Sequence, residues 1–535
     1  MPKTPHRAVT AAAALVCLTA FGPAPGGTTP AGPPPGAATP GAATPGGTAG
    51  PDARPAGSAP PSRFVPGPCP KPPEPIEALD GARCGHLEVP ENRSRPGGRT
   101  IELAVAVIGA QNPAKPAQDP VVFMAGGPGA DTFDDIPFLI DSGLNKDRDL
   151  IIMAQRGNLY DQPNLACPEI DRFNAQSVGL GYDSDQAEQL MLKAVKDCRT
   201  RLADQGVDLG AYNTIENAAD FADLRTALKL RQWNVYGYSY GSNLALTYLR
   251  LHPEGIRAFA VDSITPPQHV TLPWAWASTA EGIDNIIGAC AAQPACKDRY
   301  PDVRALLTEQ VRRLEARPLT LNVEPPGGGK PVTVVLDGGA LLNLIVAFTP
   351  RPEDLPAALA ELAAGNPERF AKARAAGSVQ KTGAFAHGLT QSVVCGEWAP
   401  GYSEADVLNA GRKVYPAWPA TVLAEVPQLP FQYPACRVWD VPDRAAAQRV
   451  PTDSAVPALV ISGTFDVKTG ASWAKDVARN LTRSTSVLFP GIGHWVVPQS
   501  PCAQEVLASF FARPTAPDTG CVADVEPKPF TIVPE

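Results

Sequence analysis

Gly237-Tyr238-Ser239-Tyr240-Gly241 fits the pattern G-x-S-x-G. Small residues on both sides allow a tight strand-to-helix turn. Such a turn strains the Ser backbone and lifts its hydroxyl toward substrate. The pentapeptide alone is weak, since chance gives roughly 0.2 matches in a Gly-rich chain of this length. Its plain alternative is a Gly-rich turn without chemistry. Context favours the chemical reading, because an apolar run (Trp233 to Tyr236) precedes the motif and a helical pattern follows it.

A serine hydroxyl is a weak nucleophile and needs a base, which in turn needs an orienting carboxylate. Gly463-Thr-Phe-Asp466 follows one apolar run, and Gly491-Ile-Gly-His494 follows the next. Asp466 and His494 are 28 residues apart, and no other His follows His387. Taken singly, Asp466 could be a turn former and His494 a structural hydrogen-bonder. Taken together, in the order Ser, acid, His and at successive strand ends, they predict a catalytic triad. His86, His252, His269 and His387 lack this context and read as structural or surface residues. A tetrahedral intermediate also needs donors for its oxyanion. The N–H of Tyr240, directly after the nucleophile, is one candidate. The second is Gly127 in Gly126-Gly127-Pro128-Gly129, where glycine lets backbone approach substrate; the alternative there is a structural turn.

Elements must carry these residues to one place. Thr100 to Ile108, Pro120 to Met124, Asp149 to Met153, Trp233 to Tyr236, Ala258 to Asp262, Ala458 to Ser462 and Ser486 to Phe489 read as strands. Asn217 to Leu230 reads as a helix, with Ala218, Phe221, Leu224 and Leu228 on one face and Asn217 as its N-cap. Asn243 to Leu251 and Ala503 to Ala512 read as helices. Strands separated by helices predict an α/β fold, a mostly parallel sheet with helices on both faces. From Pro266 the pattern turns helix-rich, interrupted by strand-like stretches at Leu319 to Val323 and Pro331 to Leu336. This stretch reads as an insertion that forms a cap before the acid-bearing strand. The expected organisation is a signal peptide (1–24), a linker (25–66), a first core part (67–265), the cap (266–455) and a C-terminal core part (456–535).

Composition bounds the rest. The chain has 535 residues, 44% of them hydrophobic and 19% charged, enough to build an ordinary core. A net charge of −8 argues against a nucleic-acid partner. Lys3, His6 and Arg7 precede the apolar run Ala8 to Phe21, which reads as a secretory signal too short for a confident membrane span. Cys17 raises a lipoprotein anchor, but Val16 stands where a small residue is expected. Gly22 to Pro66 holds 13 Pro and 10 Gly among 45 residues, so it is expected to stay extended, as a cell-wall spacer, a stalk or a linker without a role. Eleven cysteines leave ten after loss of Cys17, which suggests disulfides in an exported protein. Sequence leaves the pairing open. Short loops are the easiest to close, and local pairing would join Cys69–Cys84, Cys167–Cys198, Cys290–Cys296, Cys395–Cys436 and Cys502–Cys521. No CxxC occurs, and no metal or organic cofactor is implied.

Several stretches together resemble a known family. They are MAGGPG at Met124, AQRGN at Ala154, the run from NAADFADLRTAL through WNVYGYSYGSNLALTYLRLHPEGIRAFAVDS, GTFD at Gly463, GIGHW at Gly491, and the segment Cys502 to Cys521. On these the chain resembles the α/β-hydrolase superfamily, and within it the secreted tripeptidyl aminopeptidase-like branch related to proline iminopeptidases. The resemblance covers about Cys69 to Val522. It implies a serine hydrolase with a cap that removes short peptides from free N-termini or cleaves related amides and esters. Three positions depart from the family: Ala125 where His is common, Ala154 where Asp is common, and Val467-Lys-Thr-Gly470 after the acid. They bear on substrate preference and leave the triad intact. An aminopeptidase must also bind a free ammonium group, best done with a buried carboxylate. Cys395-Gly396-Glu397 resembles the family's Cys-x-acidic element, which offers Glu397 for that role; its alternative is a solvated loop residue beside a disulfide. Glu353-Asp354 reads as a helix start after Pro352.

Three functions follow from this reading. The first is a secreted serine exopeptidase acting on peptides through Ser239, His494 and Asp466. A carboxylesterase would use the same machinery. A surface protein on an inactive hydrolase scaffold is the alternative of another class, and the intact triad argues against it.

Overall fold

The computed structural model describes residues 62–534 apart from 96, 113–116 and 349. The predicted signal peptide, Cys17 and the linker up to Pro61 lie outside the described residues. Nine strands form the main sheet: β1 (Arg63–Pro66), β2 (Arg83–Pro90), β3 (Thr100–Ile108), β4 (Val121–Met124), β5 (Leu150–Met153), β6 (Trp233–Ser239), β7 (Ile256–Ile264), and, after the hairpin β8 (Leu319–Val323) and β9 (Val332–Leu336), β10 (Ala458–Gly463) and β11 (Ser484–Phe489). Their order is β1-β2-β3-β5-β4-β6-β7-β10-β11. The β1–β2, β2–β3 and β3–β5 pairs are antiparallel, and every pairing from β5 to β11 is parallel.

The parallel strands are buried on both faces, which is why they read as apolar runs rather than as alternation. Successive residues enter opposite cores. Val122, Met124, Val235, Phe259, Val261 and Val460 belong to one core, with Phe221, Leu224 and Leu244 from the helices Thr214–Ala227 and Tyr240–Leu251. Val121, Phe123, Tyr236, Ala260 and Ile461 belong to the other, with Val506, Leu507 and Phe510 from the helix Pro501–Ala512. Slipping any of these strands by one residue would exchange its two faces, so packing fixes the register.

Four details differ from the sequence reading. Arg63–Pro66 is not a free end of the linker: it is strand β1, paired with β2, and Cys69–Cys84 ties the two together. Composition hid this, because Pro and Gly dominate the window around it. Strand β2 is not among the strands that the apolar runs predict. The helix expected from Asn217 begins at Thr214 with Asn213 as N-cap, whose side chain accepts from Glu216 N–H at 3.0 Å. Asn217 lies inside that helix, fully buried, and accepts the Arg156 N–H at 2.8 Å. Finally, the helices Pro168–Ser177 and Asp185–Asp204 between β5 and β6 pack on the segment inserted between β7 and β10. Val178 shares a small core with Val334, Ala371 and Ala375, and Arg199 Nε donates to Trp439 O at 2.6 Å. The five disulfides are the five local pairs.

A buried ion pair fastens the QRGN loop after β5 to the helix Thr214–Ala227. Arg156 is fully buried and pairs bidentately with Asp220 at 2.8 Å twice, while its Nη1 donates to Glu91 O at 2.6 Å and Ala211 O at 2.8 Å. Arg93 adds a second cation to Asp220 at 2.7 Å. Removing the carboxylate would leave buried charge without its partner, which typically costs about 3–5 kcal/mol. Asp220→Ala is therefore expected to lower the unfolding free energy by about 3–5 kcal/mol in a urea titration. A loss below about 1 kcal/mol would mean the pair is not structural.

Candidate active site

Ser239 is the last residue of β6, and Tyr240 opens the following helix. The Ser backbone has φ 54° and ψ −129°, a conformation that non-glycine residues rarely adopt. Space explains both flanking glycines. A Cβ on Gly237 would lie 2.4 Å from Gly241 O, and one on Gly241 would lie 1.9 Å from Met124 O. The turn is then braced from within: Ser242 Oγ donates to Ser239 O at 2.6 Å and accepts from Thr265 N–H at 2.8 Å.

Parallel registry brings the other two predicted residues to the same end of the sheet. Asp466 stands three residues beyond β10 and His494 five beyond β11. His494 Nδ1 and Asp466 Oδ2 are 2.8 Å apart. Asp466 is also met by the Thr469 hydroxyl, and its Oδ1 accepts from Lys468 N–H and Thr469 N–H, each at 2.8 Å. Burial opposes its charge. The imidazole and these donors prevail and hold the carboxyl below its ordinary range. The rings of His494 and Tyr238, the residue before Ser239, have their centroids 6.4 Å apart. Among the described residues no hydrogen bond joins Ser239 Oγ to His494; in this class of site that contact tightens when substrate is bound.

The loop after β4 lies against the nucleophile. A Cβ on Gly126 would be 3.2 Å from Ser239 Cβ, and Gly127, with φ 112°, has no room for one beside Gly129 N at 2.6 Å. Four carbonyls of this loop are held from outside. Gln155 Nε2 donates to Ala125 O at 2.7 Å, Asn158 Nδ2 to Ala130 O at 2.5 Å, Thr390 Oγ1 to Pro128 O at 2.6 Å, and Ala386 N–H to Gly129 O at 2.8 Å. A loop held by its carbonyls can present its remaining N–H groups with little reorganisation. Sequence reasoning missed Gln155, Asn158, Thr390 and Thr469 as parts of the site; the first two lay in the AQRGN stretch and Thr469 in Val467–Gly470, both of which it singles out, while Thr390 carries no local signal.

Comparison with known proteins places the chain among hydrolases. Residues 119–326 match the family model "alpha/beta hydrolase fold", and 428–523 match the model "TAP-like protein". The chain has the α/β-hydrolase fold. This hydrolase is 23% identical over 488 residues to the serine protease Hip1 of Mycobacterium tuberculosis, covering 85% of this chain and 89% of that one. It is 28% identical over 206 residues to a tripeptidyl aminopeptidase of Streptomyces coelicolor. That match spans only 36% of each chain. Among solved structures it is similar to the proline iminopeptidase of Mycobacterium smegmatis, at 17% identity and a TM-score of 0.36, over 80% of this chain and 98% of that one.

Glu397 is fully buried within the π-helical turn Val394–Trp398, so the alternative of a solvated loop residue does not hold. Its Oε1 accepts from Thr214 N–H and its Oε2 from the Thr214 hydroxyl, each at 2.6 Å. Thr214 Oγ1 lies 3.0 Å from Tyr240 OH, so Glu397 is linked through Thr214 to the elbow. The other histidines sit elsewhere: His387 lies 3.0 Å from Asp171 and His269 3.3 Å from Asp476.

Burial pushes the Glu397 carboxyl up to about 7, because neutral donors offset only part of its lost hydration. Its folded value lies above its unfolded one, so the stability it allows falls as pH rises toward and through 7. Glu397→Gln, which stays neutral, is expected to melt at the same temperature as wild type at pH 5. At pH 8 it should be more stable by up to about 3 kcal/mol, the equivalent of that displacement from 4.5. Equal melting curves at both pH values would contradict the buried charge.

Proposed function

We propose that this hydrolase is a secreted serine exopeptidase that releases short peptides from free N-termini through an acyl-enzyme. The reading is carried by one observation, the 2.8 Å hydrogen bond between His494 and Asp466 at the sheet edge where Ser239 is held in a strained turn. Ser239 Oγ attacks the scissile carbonyl carbon while His494 Nε2 accepts the hydroxyl proton. Asp466 fixes the imidazole tautomer through Nδ1–H and stabilises the imidazolium. The N–H groups of Gly127 and Tyr240 hold the carbonyl oxygen as it becomes an oxyanion. His494 returns the proton to the leaving amine as the C–N bond breaks. Water then attacks the ester with His494 again as base, which frees the acid and restores Ser239.

The peptide substrate is supported by relatives named tripeptidyl aminopeptidase and serine protease. Export is supported by the basic and apolar N-terminal residues and by five disulfides. Among the described residues no helix is long and apolar enough to cross a membrane.

Ser239→Ala is expected to lose at least about 10⁴-fold in kcat and all labelling by a fluorophosphonate probe. Tripeptidyl p-nitroanilides with free N-termini should be cleaved much faster than their N-acetylated forms. Equal rates on the two would reject the exopeptidase assignment. Turnover of p-nitrophenyl esters without amide cleavage would instead make the protein an esterase.

A further inference from the structure

Asp262 is a fully buried carboxylate that the mechanism above does not use. It lies on β7, the strand between the one that ends in Ser239 and the one that leads to Asp466. Asp262 is in register with Tyr238 on one side and Ile461 on the other. Each of its oxygens accepts one backbone N–H from the segment that follows His494 and one hydroxyl from the sheet. Oδ1 accepts from Val496 N–H at 3.1 Å and from Ser263 Oγ at 3.2 Å. Oδ2 accepts from Val497 N–H at 2.9 Å and from Tyr236 OH at 3.2 Å.

The adjacent residue completes the grip. Ser263 Oγ accepts the Trp495 N–H at 2.8 Å, and Trp495 Nε1 donates to Tyr236 OH at 3.1 Å. The Trp495 ring stacks on Tyr238 at 4.1 Å and 9°. Ser263 and Trp495 both have left-handed backbones, at φ 51° and 63°, so neither conformation is self-supporting. Gln499 Nε2 secures the other side by donating to His494 O at 2.6 Å. Three consecutive N–H groups, those of Trp495, Val496 and Val497, are therefore taken by two neighbouring side chains of one rigid strand.

We propose that Asp262 and Ser263 are positioning residues, a clamp that holds the loop bearing His494 so that its imidazole faces both Asp466 and Ser239. The inference rests on the reading of Ser239, His494 and Asp466 as the reacting groups. Asp262 is too deeply buried to touch substrate, so its effect passes through the loop. A carboxylate is the side chain that fits. It accepts on both oxygens, whereas an amide would turn N–H donors against one of the two backbone N–H groups. A base displaced by about 1 Å loses rate out of proportion to the distance, which makes such a clamp consequential.

Burial pushes the Asp262 carboxyl up to about 6, opposed by the Val497 and Val496 N–H groups and by His494. The titratable groups facing it are Tyr236 and Tyr238 from β6 and His494 from the following loop. Protonation of Asp262 weakens the grip on the two N–H groups. In wild type this adds an ionisation to the acid limb of kcat.

The test uses the full chain and three variants. Ser263→Gly removes only the hydroxyl at a backbone angle that glycine adopts freely. Asp262→Asn removes the charge, and Tyr236→Phe removes one shared donor. The expected result for Asp262→Asn is a fall in kcat of at least tenfold with KM within about twofold, slower fluorophosphonate labelling of Ser239, and an acid limb that fits one ionisation. Ser263→Gly should lose severalfold in kcat with an unchanged melting temperature. If Asp262→Asn does not fold, Ser263→Gly and Tyr236→Phe decide. Wild-type kcat and labelling rate in the folded variants would overturn the clamp. Retained activity in Ser239→Ala would overturn the underlying reading instead.

Discussion

A carboxylate taken out of water must be met by donors or give up its charge, and three such groups surround this site. Asp466, Asp262 and Glu397 are all buried to about the same degree, yet they behave differently. Glu397 has one threonine for company and is pushed up to about 7. Asp262 has four neutral donors and is still pushed up to about 6. Asp466 also has neutral donors, but it faces an imidazole at 2.8 Å, and it alone of the three is held below its ordinary range. Neutral hydrogen bonds reduce the burial penalty; a partner able to carry positive charge reverses it. An ionised Asp466 is what the proposed mechanism requires for stabilising an imidazolium at His494.

Much of this was legible in the sequence, because the signals were local or strictly ordered. Each parallel strand is a short apolar run, and the run is apolar because helices cover both faces. Ser239 ends one such run and Asp466 and His494 follow two others within three and five residues, so parallel pairing brings them to the same end of the sheet. What escaped were features set by distant partners. Asn213 shows the capping pattern, with Glu216 three residues on, but the apolar periodicity pointed four residues later to Asn217. That asparagine is buried because Arg156, 61 residues upstream, needs its side chain. Glu397 sits beside a cysteine in what reads as a polar loop; only folding brings Thr214, 183 residues away, onto both of its oxygens. Strand β1 escaped for a compositional reason, since its only partner is β2 and its own neighbourhood is rich in proline.

The two family departures noted at Ala125 and Ala154 acquire a physical sense from the register. Strands β4 and β5 pair in parallel with Phe123 opposite Ile152, so Ala125 and Ala154 stand at corresponding points where the strands end. Both are buried. Two polar residues there would support one another, and one without its partner would be an unsatisfied group in the interior. With alanine at both positions that interior stays neutral, and Gln155 reaches the carbonyl of Ala125 itself.

Strain tells the same story from the backbone. Seven non-glycine residues among those described have left-handed φ values. Ser239, Ser263 and Trp495 are three of them: the proposed nucleophile, half of the proposed clamp and the residue directly after His494. Such conformations cost about 1–2 kcal/mol each and persist only where surroundings over-determine them. Here the surroundings are explicit. Ser242 and Thr265 brace the elbow, the Trp495 N–H on Ser263 Oγ joins two strained residues to each other, and the stacked ring of Trp495 rests on the residue before the nucleophile. The strained positions are therefore one connected object. Relaxing any of them would loosen the others, which explains how a sheet edge built from ordinary strands can hold a hydroxyl and an imidazole in an arrangement that neither loop would adopt alone.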